Sequence, residues 1–126
     1  FVIPKGAGLQ GMREILERIS ASHRGSFLAV LKTFGAANNN LLSFPMEGYT
    51  LALDFKLEPG LLELLDELDS MVLAYGGRLY LAKDARMSEA TFKQSQPNWQ
   101  QFQEVRAHYG ALGKFASLQS RRLGLD

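Results

Sequence analysis

Hydrophobic residues recur at two different spacings along the chain, and together these spacings predict a mixture of strands and helices. In one segment every second residue is apolar, at Tyr49, Leu51, Leu53, Phe55 and Leu57. This period of two is typical of a strand with one buried face. Apolar or β-branched runs at 1–3, 26–34 and 78–82 predict three further strands. Pro4 ends the first of them because it has no N–H to donate.

Two other segments repeat apolar residues at spacings of three and four, which predicts amphipathic helices. The apolar positions of the first helix are Leu9, Met12, Ile15, Leu16 and Ile19. Those of the second helix, which opens at Pro59-Gly60, are Leu61, Leu65, Leu68, Val72 and Tyr75. Further helices are predicted after Ser88, after Pro97 and over 117–123.

The order of these elements is strand–helix–strand–strand–helix–strand, which is typical of the ferredoxin-like α+β fold. We therefore expect a four-stranded antiparallel sheet with both helices on one face, followed by C-terminal helices. The opposite face of the sheet is then free to meet solvent, a ligand or another domain.

Side-chain parity predicts which residues lie on that free face, because alternate side chains of a strand point to opposite sides. The predicted set is Lys32, Phe34, Thr50, Ala52, Asp54, Arg78 and Tyr80, with Lys83 at the same rim. Small, aromatic and cationic side chains on one surface suit a flat aromatic ligand with polar edges. Asp54 is expected to pair with a lysine or arginine rather than to act as a base.

Composition excludes several classes of protein. Apolar residues make up 46% of the chain, which is enough for a core and argues against disorder. The net charge of +1 gives no electrostatic basis for a nucleic-acid partner. There is no cysteine, no signal peptide and no apolar run long enough for a transmembrane helix, so we expect a cytoplasmic protein. His23 and His108 stand apart from other ligand-type residues, so no metal site is expected.

The segment 76–86, GGRLYLAKDAR, resembles the last strand of the C-terminal domain of FAD-linked oxidases of the vanillyl-alcohol-oxidase type. Other stretches resemble the same family in the same order: FLAVLKTFG at 27–35, LSFP at 42–45, DF at 54–55, FAS at 115–117 and RRL at 121–123. The similarity covers the whole chain without large gaps.

The resemblance implies that residues 1–126 are the C-terminal substrate domain of a two-domain flavoenzyme. The chain begins with Phe1 inside a predicted strand, so we expect a fragment whose N-terminal FAD-binding domain is absent. In a related oxidase of this family, a sugar hydroxyl is oxidised to a ketone by hydride transfer to flavin, and a partner reductase completes an epimerisation. A lipid-linked substrate would bring such an enzyme to a membrane. The fragment alone is expected neither to hold FAD nor to turn over substrate.

The resemblance also assigns roles to single residues. Lys83 matches a lysine beside the flavin and the substrate, where a fixed cation would stabilise the negative charge of reduced flavin, and so it is the expected catalytic residue. Tyr80 matches a tyrosine near the flavin, so both Tyr80 and Lys83 are expected to bind the cofactor. Substrate-binding positions are expected at Lys32, Phe34, Thr50 and Ala52.

Several residues depart from the family pattern and bear on the substrate more than on the reaction class. Ala52 stands where a relative has a cysteine, so a thiol-directed inhibitor would have no covalent target. Thr50 replaces an asparagine and Gln96 a tyrosine. Gly110-Ala111 replaces an Asp-Pro pair before the FAS segment.

Other interpretations stay open from the residues alone. The enzyme could be an aldonolactone or alditol oxidase of the same superfamily, or the chain a non-enzymatic ferredoxin-like module such as an RNA-recognition domain, although Thr50, Ala52 and Asp54 lack the paired aromatics of that domain. Arg121 and Arg122 are expected to form a solvated helix end. The glycine-rich opening is not expected to be a dinucleotide fingerprint, because no strand–GxGxxG–helix context is recognised.

Overall fold

Three strands form an antiparallel sheet in which the alternating segment is the central strand. The computed structural model describes all 126 residues, Phe1–Asp126. The strands are β1 (Val2–Pro4), β2 (Leu28–Phe34) and β3 (Gly48–Asp54), arranged in the order β1–β3–β2. The α+β class is thereby confirmed. The alternation continues to Leu57, but the strand itself ends at Asp54.

The predicted fourth strand is reduced to one bridge between Arg78 and Val2, with both backbone hydrogen bonds at 2.9 Å. This bridge lies on the free side of β1, the position that the fourth strand occupies in a ferredoxin-like sheet. The backbone of Leu79, next to Arg78, is bonded instead to the C-terminal end of α3 (Glu89–Ser95). Ser95 Oγ accepts a hydrogen bond from the Leu79 amide at 3.0 Å. The side chain of Gln96, which follows α3, donates to the Leu79 carbonyl at 3.5 Å. The chain then turns at Leu81–Lys83 instead of extending the ladder.

Two helices, α1 (Gly8–Ala21) and α2 (Leu61–Ala74), cover one face of the sheet as predicted. The buried stripe of α1 is Gly8, Gly11, Ile15 and Ile19. The predicted stripe was therefore wrong at Leu9, which is 78% exposed, and at Leu16, which is also exposed. The glycines lie on the buried side because α1 packs closely against β1 there. A Cβ at Gly11 would lie 2.9 Å from Ile3 Cδ1, closer than side chains allow.

The buried side of α2 carries Leu61, Leu64, Leu68 and Val72, so Leu64 takes the place predicted for Leu65. The helix is joined to α1 by an ion pair between Arg18 and Glu67 at 2.6 Å. Gly60 precedes the helix and Gly76 follows it, and both have the left-handed backbone conformation with positive φ. This conformation is costly for residues with a Cβ, so glycine is favoured at both positions.

Three short helices complete the chain: α3, α4 (Trp99–His108) and α5 (Leu118–Arg122). The predicted cap of α3 is confirmed, since the Ser88 hydroxyl accepts a hydrogen bond from the Thr91 amide at 3.1 Å. Phe92 of α3 and Leu123 after α5 are fully buried and belong to the same core as Ile3 and Ile15. None of the helices has the length and apolar character needed to cross a membrane.

Candidate functional site

The strand register places the residues predicted from parity on one face of the sheet, opposite the helices. Lys32 pairs with Thr50, Val30 with Ala52 and Phe34 with Gly48. Because paired residues of antiparallel strands point to the same side, Lys32, Phe34, Thr50 and Ala52 share this face. Thr50 is only 8% exposed, and its hydroxyl donates a hydrogen bond to the Phe1 carbonyl at 2.8 Å.

The loop over residues 35–47 contributes a third aromatic ring, Phe44, next to the two predicted ones. The rings of Phe34 and Phe44 meet edge to face at 5.7 Å between centroids. The rings of Phe44 and Tyr80 lie 4.6 Å apart with 34° between their planes. Arg78 holds this loop by donating a hydrogen bond to the Ser43 carbonyl. Burial lowers the pKa of that guanidinium from its usual value.

Sequence reasoning did not identify Phe44 as part of the site. The residue lies in a loop, where side-chain parity gives no direction, although it belongs to the LSFP segment that carried the resemblance. The three rings form an apolar wall built from a strand, a loop and the segment that follows the Val2–Arg78 bridge.

Lys83 and Tyr80 lie at the end of this wall. Tyr80 is 43% exposed, and Lys83 is also exposed. The turn Leu81–Lys83 follows Tyr80 directly, so both residues lie at the same rim. Neither Lys32 nor Lys83 forms a salt bridge. Both lysines are therefore available to an anionic or partly anionic ligand.

All six predicted site residues line one cavity of about 900 Å³, together with Phe44 and Asp54. Of its 24 lining residues, 16 are hydrophobic, and a mostly apolar lining with few polar groups is typical of small-molecule sites. The expected ion pair of Asp54 is not formed, because no lysine or arginine bridges its carboxylate. Asp54 is thus an unpaired carboxylate in the cavity wall.

The turn that carries Lys83 is held by charged residues from two helices. Asp84, directly after it, pairs with Arg122 of α5 at 2.7 Å. Arg86 pairs with Asp69 of α2 at 2.8 Å. Arg122 was expected to be solvated, and that expectation was wrong: its side chain is 28% exposed and lies against the Lys83 turn.

A strand, a glycine-rich turn and a helix do follow one another at β1 and α1, contrary to expectation, with Gly6, Gly8 and Gly11 in GxGxxG spacing. Packing explains two of these glycines. A Cβ at Gly8 would meet the Tyr49 ring at 2.3 Å, and one at Gly11 would meet Ile3. The strand next to β1 is antiparallel, whereas dinucleotide folds have parallel neighbours. The glycine-rich turn is therefore explained by packing and is not the dinucleotide-binding turn of a parallel fold.

Comparison with known proteins confirms the resemblance to an FAD-linked oxidase. Over 125 residues, 99% of the chain, the sequence is 41% identical to decaprenylphosphoryl-beta-D-ribose oxidase of Mycolicibacterium smegmatis, and the match covers 27% of that protein. Over 115 residues, 90% of the chain, it is 36% identical to an uncharacterized protein in the mprA 5′ region of Streptomyces coelicolor, covering 31% of it. The chain thus spans less than a third of either relative. No family model matches the chain.

Proposed function

We propose, from its similarity to part of an FAD-linked oxidase, that this chain is the C-terminal substrate domain of an FAD-dependent oxidoreductase. The full protein would oxidise a CH–OH group of a sugar-type substrate. An identity of 41% across 99% of the chain supports the reaction class. The match to only 27% of the relative supports a division of labour, in which another part of the protein holds most of the FAD.

The observation that carries the proposal is the cavity lined by residues of the free face of the sheet together with Leu61, Leu62 and Leu65 of α2. It combines an aromatic wall, two unpaired lysines and a small residue, Ala52, in one space. An ordinary solvated face would carry mainly charged side chains, and a core face mainly aliphatic ones. The aromatic side chains could pack against a flat ring, and the two lysines could bind the polar edges of that ring or the hydroxyl groups of a sugar.

A bound flavin would supply the acceptor for the hydride. Tyr80 and Phe44 offer aromatic surface for packing against a ring system. Lys83 supplies a compact positive charge at the same rim, which stabilises negative charge that develops nearby during the reaction. Lys32, at the other end of the aromatic wall, would bind the polar part of the substrate, with Phe34 packing beside it.

Replacing Lys83 tests this role. In the full-length flavoprotein, Lys83→Met is expected to slow anaerobic flavin reduction by about 10²-fold or more, the usual effect of removing one electrostatic stabiliser. Thermal stability should hardly change, because Lys83 forms no salt bridge. The measurements are stopped-flow flavin absorbance and the melting temperature.

Lys114→Met is the matched control for this experiment. Lys114 is also exposed and does not line the cavity, so its removal should leave flavin reduction unchanged. Unaltered reduction kinetics in Lys83→Met would contradict the proposed role.

A further inference from the structure

The short turn that carries Lys83 is tied to the C-terminal helix by side chains from far along the chain. We call the side chains of Asp84, Gln119 and Arg122 the turn clamp. Gln119 of α5 donates a hydrogen bond to the Leu81 carbonyl at 2.7 Å, at the first residue of the turn. Arg122 of the same helix reaches the residues that follow the turn. One helix thus fixes both ends of the segment that holds Lys83.

Asp84 is the centre of the turn clamp, and its side chain is only 7% exposed. Its Oδ1 accepts hydrogen bonds from the amides of Arg86 at 3.0 Å and Met87 at 2.8 Å. Its Oδ2 accepts from Arg122 Nη2 at 2.7 Å, and Arg122 Nη1 also donates to the Met87 carbonyl. The planar guanidinium therefore uses two different nitrogens to join a side chain and a backbone group in a fixed geometry.

The electrostatics keep the turn clamp formed at neutral pH. Burial acts to raise the pKa of Asp84, but the hydrogen bonds from Met87 and Arg86 and the charge of Arg122 outweigh it, and the pKa lies below its usual value. Asp84 is thus ionised wherever the oxidase would work. On the opposite side, Arg86 bonds to Asp69 and to the Leu65 carbonyl of α2.

We propose that Arg122 is a positioning residue, which acts by fixing the turn from which Lys83 reaches the cavity. The proposal rests on the function proposed above for Lys83. Lysine has a long flexible side chain, and Lys83 has no salt bridge to direct it. Its backbone anchor therefore decides where its ammonium group can lie. A displacement of about 1 Å can cost about 10²-fold in rate when a charge must meet a reacting group.

Amide hydrogen exchange of this chain tests the clamp without reference to activity. In Arg122→Met we expect the amides of residues 83–87 to exchange about ten-fold faster or more, because the charged hydrogen bonds that close the turn are lost. Arg121→Met is the matched control, since the neighbouring Arg121 is exposed and pairs only with Asp126 at 3.3 Å. Equal exchange in the two variants would overturn the proposal.

Flavin reduction in the full-length protein tests the link to Lys83. Arg122→Met should slow reduction by at least about ten-fold, and Arg122→Lys should recover part of the loss because it keeps the charge. In a Lys83→Met background, Arg122→Met should add almost nothing, since residues that act through one another are not additive. Full additivity would overturn the proposal and leave Arg122 a purely structural residue.

The two proposals fail in different ways. If Lys83→Met leaves flavin reduction unchanged, the function proposed for Lys83 is wrong whatever the exchange data show. If Lys83→Met slows reduction while Arg122→Met behaves like Arg121→Met in both measurements, the function stands and the positioning role is wrong.

Discussion

Single residues of the site divide into those that local pattern predicts and those that only the fold brings together. Lys32, Thr50 and Ala52 were placed correctly on one face because the alternation of a strand is a local property. Phe44 and the Asp84–Arg122 pair were not predicted. Asp84 and Arg122 are 38 positions apart, and nothing in the neighbourhood of either residue indicates the other. Only the three-dimensional packing of loops and helices decides such contacts.

The lowered pKa of Asp84 makes the stability of the folded chain depend on pH. Its pKa in the folded chain lies below the usual 3.8, so its contribution to stability is complete above pH 3.8 and is lost as the pH falls through the folded value. Asp84→Asn should lower the free energy of unfolding by roughly 1–3 kcal/mol at neutral pH. The difference from the native chain should shrink below pH 3.8.

Urea unfolding across a pH series measures this difference, with Glu104→Gln as the control. Glu104 is exposed and forms no salt bridge, so its neutralisation should matter little at any pH. A stability loss in Asp84→Asn that persists unchanged into acid would show that charge plays no part in the turn clamp.

Among the elements, type and order were predictable, and exact register was less so. Period counting identified β3, α1 and α2, and it placed Ile15 and Ile19 correctly on the buried stripe of α1, but it included Leu9 and Leu16, which are exposed. The true stripe contains Gly8 and Gly11, which hydrophobicity counts do not score as core. The prediction of a full fourth strand was wrong because local pattern does not show distant partners. The Leu79 backbone forms its hydrogen bonds with the side chains of Ser95 and Gln96, which lie further along the chain.

The edge strand β2 exposes apolar side chains on both of its faces. It is seven residues long, with Leu31 64% exposed on the helix side and Leu28 50% exposed on the other. Unprotected apolar edges of this kind pair with other chains. Leu31→Lys should therefore reduce self-association of the isolated chain in sedimentation velocity. Leu9→Lys on α1 should not, because a helix flank has no free backbone groups to pair. Identical behaviour of both variants would exclude edge pairing.

The whole molecule exposes more surface than its size predicts. A monomer of 14.0 kDa should expose roughly 6,700 Å², whereas this chain exposes 7874 Å². The surplus of roughly 1,200 Å² exceeds the ~800 Å² that one partner buries in a standard interface. Exposed large apolar side chains account for part of it, among them Phe27, directly before β2, and Leu57 in the cavity wall. The surplus favours the proposal that this domain works against another part of a longer protein.

Cofactor retention tests that division of labour. The isolated chain should lose FAD on dialysis and remain colourless, because under the proposed function another part of the protein holds most of the FAD. The full-length protein should stay yellow. Visible absorbance after exhaustive dialysis measures the difference, and a stoichiometric flavin complex of the 126-residue chain would contradict the prediction.

The attachment of the Lys83 turn to α5 has a practical consequence for protein engineering. Trimming the C-terminus is a common way to improve expression or crystals, and a helix of five residues looks dispensable. Deleting it would withdraw Gln119 and Arg122 together and free a lysine 39 positions upstream of Arg122. Because Leu123 and Leu125 follow α5 and belong to the buried core, the same deletion would also remove part of the core. A loss of function in such a truncated chain would then be wrongly attributed to the residues of the cavity.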